Sequence, residues 1–194
     1  CEWLHLAYPR QLAAKERAFA ETLRKIGKLD PAAIGLRPIT PSPRPLRYRS
    51  RAKFHFDRAD GRLVFYRRRS HVPVPVAECH LLVEGLDALR AALGPALAAA
   101  RLAPREVALE WSDHEGRGAA LLLLAEVTPA VRERAASVLA AVPSLSGLLL
   151  QAEGVPPVAV GEPVLAHHRF PGAPERGLQR SRPDVFQQAN RFAN

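Results

Sequence analysis

Between Leu46 and Asp57 the chain alternates without a slip. Leu46, Tyr48, Ser50, Ala52, Phe54 and Phe56 fall on one parity, and Arg47, Arg49, Arg51, Lys53 and His55 on the other. Strand side chains point to opposite faces with a period of two. The segment therefore predicts a half-buried strand with a row of cations on its open face. Same-face charges on a strand lie about 6.6–6.8 Å apart, a spacing that suits a charged polymer better than a small ligand. Nucleic acid is the partner class this implies; the alternative is a merely solvated basic face.

The charge balance localises the signal. The chain carries 28 Lys and Arg against 19 Asp and Glu, a net charge of +9. Between Arg37 and Arg69 lie eleven basic residues and only Asp57 and Asp60, so this segment holds the whole excess. A clustered basic tract is the electrostatic footprint of a phosphate-binding surface. No apolar run approaches the roughly 20 residues needed to span a bilayer, and no membrane partner is expected. Cys1 and Cys79 are too few for a disulfide scaffold. The chain opens on Cys1 and contains no Met, which suggests a piece excised from something longer.

The order of elements predicts an α+β fold with a mixed, largely antiparallel sheet and flanking helices. Pro9–Ile26 has Leu12, Phe19, Leu23 and Ile26 at helical spacing, with Pro9 suited to a first turn and Gly27 to a stop. Five prolines between Pro31 and Pro45 mark an extended connector. The basic strand turns at Ala59-Asp60-Gly61 and returns through Arg62–His71. A three-residue loop would set Arg67 across from Lys53, and Arg69 across from Arg51. Helices are expected over Glu84–Leu102, interrupted near Gly94-Pro95, and over Pro129–Ala141. Strands are expected over Glu106–Asp113, Gly118–Val127 and Leu145–Glu153, with weaker ones at Pro163–Phe170 and Gly177–Arg182. Asp184–Asn194 reads as the first turns of a helix. Strand-strand-helix occurs from Leu46 and again from Glu106, a hint of internal duplication.

Catalytic signatures are missing from the sequence. There is no glycine-rich phosphate loop, no Gly-x-Ser-x-Gly elbow and no His-Glu-x-x-His. His167 and His168 would point to opposite faces of a strand and make poor joint ligands. Asp113-His114-Glu115 sits at an expected hairpin tip, and Trp3 and Trp111 read as core or edge aromatics. On its own residues the chain is a binding module.

Three blocks, in order, carry a resemblance. The first is Cys1-Glu2-Trp3-Leu4-His5-Leu6-Ala7-Tyr8 with Gln11, Leu12 and Lys15. The second runs from Ser42-Pro43 through Tyr48-Arg49-x-Arg51-x-Lys53-Phe54, Gly61 and Phe65-Tyr66-Arg67-Arg68-Arg69-Ser70-His71 to Val74-Pro75-Val76 and Cys79. The third is Phe186-Gln187-Gln188-Ala189-Asn190. Together they resemble the S-adenosylmethionine-dependent RNA uracil-5-methyltransferases, in the branch that acts on 23S ribosomal RNA and carries an iron–sulfur cluster. His80 and Ala189 stand where that family usually has proline and valine.

The resemblance implies that residues 1–28 follow the first cluster cysteines, that 29–182 form a central α+β RNA-binding domain, and that 183–194 begin a Rossmann-like methyltransferase domain, cut short. It implies that Cys1 and Cys79 are two of the four thiolates of a four-iron–four-sulfur cluster. Gln188 would contact S-adenosylmethionine and Phe186 would lie near the target base. Arg47, Arg49, Arg51, Lys53, Arg67, Arg68 and Arg69 would line the RNA path. The implied protein methylates carbon 5 of a uridine in 23S ribosomal RNA, as a cytoplasmic monomer. The catalytic cysteine is absent from this chain, which alone is expected to be inactive. A transfer-RNA enzyme, or an RNA-binding module without catalysis, is the alternative.

Overall fold

The computed structural model describes residues 3–190 and 192, and the chain divides into two units at Pro45/Leu46. In the first, helix α1 (Tyr8–Lys25) has Pro9 in its first turn and Arg24 and Lys25 in its last, where cations complement the helix dipole. The proline-rich stretch is tied to this helix. Ser42 N–H donates to the Tyr8 hydroxyl at 2.7 Å, and Ile39 N–H to the Glu16 carboxylate at 3.2 Å. No residue of α1 is buried, and Phe19 and Ile26 of the expected apolar stripe are exposed.

The second unit runs from Leu46 to Phe192. Its elements are β1 (Arg51–Asp57), β2 (Arg62–Tyr66), β3 (Pro73–Val74), α2 (Glu84–Ala99), β4 (Glu106–Ser112), β5 (Arg117–Leu123), α3 (Pro129–Ala141), β6 (Leu145–Gln151) and β7 (Val158–Gly161), then a hairpin of β8 (Leu165–His168) and β9 (Leu178–Ser181). The first seven strands form one sheet in the order β3-β2-β1-β4-β5-β6-β7. All neighbours are antiparallel except β5 and β6, which α3 joins by the crossover that parallel strands require. This is an α+β architecture.

Period-two alternation settles which face is the core. Phe54, Val107, Leu109, Ala120, Leu122, Leu148 and Leu150 line one face and meet Leu86, Leu89, Leu93 and Leu97 of α2 and Ala135 and Val138 of α3. Fully burying one Leu is worth about 1.5–3 kcal/mol, which explains why α2 runs straight through Pro95, where an interruption was expected. Leu93 and Leu97 flank that proline and are wholly buried, outweighing one lost helical hydrogen bond. Gly94 is there for contact: a Cβ would sit 2.8 Å from the Gly61 carbonyl oxygen. Thr128 caps α3, its hydroxyl accepting from Val131 N–H at 3.3 Å.

Four expectations are corrected. The alternation that begins at Leu46 becomes a sheet strand only at Arg51. Arg47 has φ +52°, and Tyr48 and Arg49 N–H both bond to Leu81 O, so residues 47–49 pair with the segment 80–83 instead. The β1–β2 loop spans residues 58–61 because Asp57 pairs with Arg62, one residue longer than expected. Strands β3 and β7 went unforeseen, being short and partly exposed. Between Asp184 and Asn190 the chain is not helical, and Asn190 instead bridges to Arg49.

Candidate nucleic-acid interface

Parity places Arg51, Lys53 and His55 opposite the Phe54 face, as expected, but that second face is not open along its length. The β8–β9 hairpin covers it at β4. There Glu110, fully buried, meets His167, whose Nε2 lies 2.9 Å from Oε1, and Ser181, whose hydroxyl donates to the same oxygen. Ser112 donates its hydroxyl to the Ala166 carbonyl and fixes the hairpin alongside.

Arg51 completes this cluster. Its side chain is 14% exposed and its Nη2 lies 3.8 Å from Glu110 Oε2. The guanidinium donates to three carbonyls: Arg182 at 3.2 Å, Pro183 at 2.7 Å, and Val185. Burial would push the Glu110 carboxyl up, but hydrogen bonds from His167 and Ser181 and the nearby charges of Arg51 and His167 outweigh it and hold the group below its ordinary value. Serine, histidine and glutamate together invite a catalytic reading, which the geometry rejects. Both Ser181 and His167 address one carboxylate oxygen, whereas a triad needs the imidazole between hydroxyl and carboxylate.

The other residues expected on the RNA path divide. Arg47 donates to the carbonyls of Cys79 and Leu82 at 3.2 and 3.3 Å, pairs with Glu78, and lies 3.9 Å from Asp87. Arg49 is half-buried, with its Nε in the interior. The expectation that Arg47 and Arg51 face a polyanion is therefore corrected: both guanidiniums are turned onto the protein's own acceptors. Lys53 is 71% exposed and pairs with Glu106 at 2.8 Å.

Arg67, Arg68 and Arg69 are exposed. They are not ranged across from Lys53 and Arg51. Strand β2 ends at Tyr66, and a turn with Arg69 at φ +54° carries them beyond the sheet. Beside that turn, the rings of His55 and Tyr66 stack at 3.9 Å with an interplanar angle of 5°. No periodicity foretold this contact; the register of β1 on β2 creates it.

The remaining candidates lie apart. Phe186 is 82% exposed, and Gln188 is exposed on the same segment, beyond the carbonyls that Arg51 holds. The exposed Gln188 amide fits a single contact to a methyl donor. Cys1 lies outside the described residues. Cys79 is a half-buried free thiol whose N–H donates to Asp87 at 3.0 Å. Among the described residues no three His, Cys, Asp or Glu side chains are grouped to hold a metal, so these residues alone do not make a cluster site. No helix among them is long and apolar enough to cross a membrane.

No family model matches the chain. An uncharacterized RNA methyltransferase of Thermosynechococcus vestitus is 36% identical over 99 residues, 50% of this chain and 22% of that protein. Another from Gloeobacter violaceus is 37% identical over 95 residues, 47% of this chain and 20% of that protein. A third, from Nitratidesulfovibrio vulgaris, is 38% identical over 84 residues, 42% and 18% of the two chains. The matched stretch thus spans about a fifth of the length of these curated relatives. Among solved structures, the Pyrococcus abyssi tRNA (uracil-54, C5)-methyltransferase in complex with S-adenosyl-L-homocysteine has the same fold. Its TM-score is 0.66 at 13% identity, over 97% of this chain and 46% of that one.

Proposed function

We infer that this chain is the central, RNA-binding part of an RNA methyltransferase that transfers a methyl group from S-adenosylmethionine to carbon 5 of a uridine, with 23S ribosomal RNA as substrate. The observation that carries this reading is the run of relatives named RNA methyltransferases, each more than 30% identical over more than 80 residues. The shared fold with a uracil-5-methyltransferase supports the architecture. The choice of ribosomal RNA rests on the Cys1 and Cys79 pattern, because transfer-RNA members resemble this chain without cluster cysteines.

In this reading Arg67–Arg69 and Lys53 neutralise phosphates, and Arg49 lies close to the chain's return at Asn190. The segment bearing Phe186 and Gln188 leads into the methyltransferase domain, with Gln188 touching the methyl donor and Phe186 the target base. S-adenosylmethionine, when bound, supplies the electrophilic methyl group. Cys1 and Cys79 contribute two cluster ligands beside others from elsewhere in the protein. The catalytic cysteine likewise belongs to the rest of a monomeric, cytoplasmic enzyme.

The test is methyl transfer from labelled S-adenosylmethionine to unmodified 23S ribosomal RNA by the full-length protein that contains this chain, with the product base identified. A 5-methyluridine product is expected. Methylation of transfer RNA alone would move the reading to the other branch. Salt-dependent binding with no methyl transfer would leave an RNA-binding module.

A further inference from the structure

We propose that His55, Tyr66 and His71 form a stacking platform for an unpaired RNA base, at the mouth of a cleft whose arginines hold the adjoining phosphates. The proposal rests on the RNA reading above and adds to it a site and the conformation of RNA that site accepts.

The platform is built by register. His55 pairs with Val64 across β1 and β2, which sets Tyr66 diagonally opposite His55 on the face away from Phe54 and Phe65. Their rings stack at 3.9 Å. The turn after β2 then adds a third ring. Arg67 N–H bonds to Val72 O at 3.0 Å and Ser70 N–H to Arg67 O at 3.1 Å, and β3 pairs back with Tyr66 opposite Pro73. His71 is thereby held with its ring 5.5 Å from Tyr66 at 79°.

These rings contribute little to the core. Tyr66 is 37% exposed and His71 is exposed, and neither belongs to the buried cluster. Tyr66 also lines a cleft of about 500 Å³ with Phe56, Arg58, Pro104, Arg105 and Glu153, within the range of ~300–1,000 Å³ typical of ligand clefts. Arg58 and Arg105 in the cleft, and Arg67 and Arg69 on the turn, are exposed cations. Glu153 on the cleft wall repels phosphate, which leaves the arginines as the phosphate side and the rings as the base side.

Aromatic faces beside a cationic rim are how proteins bind single-stranded nucleic acid, since every base has a face to stack. In an A-form duplex those faces are buried against one another, so the site selects splayed-out nucleotides. The turn's arginines contribute affinity without base contact, and the rings select unpaired RNA.

The experiment measures binding of a fluorescein-labelled RNA dodecamer without self-complementarity to the whole chain by anisotropy across a salt series. Tyr66→Ala is expected to weaken binding roughly 5- to 150-fold, the range seen for loss of one base–aromatic stack. The salt slope stays unchanged because no phosphate contact is lost. Tyr66→Phe restores wild-type affinity, and a duplex of the same length shows no dependence on residue 66. A series of dodecamers, each with one abasic nucleotide, gives a second readout in the unaltered chain: base removal at one position weakens binding. If the wild type binds salt-dependently while Tyr66→Ala binds equally well, the platform is overturned and RNA contact stands. If Tyr66→Ala does not fold, an abasic series with no sensitive position overturns it. If no salt-dependent binding occurs at all, the RNA reading falls as well.

Discussion

The two basic tracts of this chain carry the same charge and do opposite things in the structure. Arg47, Arg49 and Arg51 alternate with Tyr48 and Ser50 as an open cationic strand face would, yet Arg47 and Arg51 spend their guanidiniums on internal acceptors. Arg67, Arg68 and Arg69 form an unpatterned run, and these are the exposed ones. Alternation identifies which side of a strand a residue occupies; what covers that side is decided elsewhere. Here the β8–β9 hairpin and residues 182–185, more than a hundred positions downstream, cover the face at Arg51.

The largest test of this contrast is Glu110, which holds Arg51 inside. Removing one partner of a buried charged cluster strands the others. Glu110→Ala is expected to cost about 3 kcal/mol, the low end for such a loss. For a chain of this length that is a fall of about 6–12 °C in Tm, read by thermal unfolding. A loss under ~0.5 kcal/mol would mean that the cluster is replaceable and that Arg51 is free to turn outward.

Acid is the next probe. Glu110 has its pKa lowered in the folded state, so the unfolded chain takes up the proton first. Its contribution to stability is complete above the ordinary carboxylate value of 4.5 and is lost as pH falls through the lower folded value. The stability gap between wild type and Glu110→Gln is therefore flat from neutrality to about that value and narrows below it. Urea midpoints along a pH series measure this. A gap that widened on acidification would contradict the inward Arg51–Glu110 arrangement.

Much of the fold was legible because its signals are local. The helix at Pro129–Ala141 has a capping threonine and a first-turn proline, and β4, β5 and β6 are long enough to show their pattern. The basic strand misled for the opposite reason. A left-handed Arg47 has no sequence signature of the kind glycine gives, and a loop one residue longer shifts every cross-strand partner. Glu110 within a strand offered no warning of His167 and Ser181, since these contacts join residues up to 71 positions apart. The stacked rings of His55 and Tyr66 were hidden likewise, being a product of register.

The smallest energetic effect separates the two tracts most cleanly. Arg51→Ala removes charge-assisted hydrogen bonds to three carbonyls and is expected to cost about 1.5–3 kcal/mol of stability. Because its guanidinium faces the protein, the salt slope of RNA binding stays as in wild type. Arg67→Ala with Arg69→Ala removes two exposed charges from a turn, with a stability change within about 0.5 kcal/mol. Yet if each neutralises one phosphate, the slope of log affinity against log salt falls by about 2. Equal charge is deleted per arginine in the two proteins, so net charge alone cannot produce the difference. Should the slope drop for Arg51→Ala and hold for the turn variant, the tracts would have exchanged roles, and the sequence pattern would be the better guide to the RNA path than the covered face.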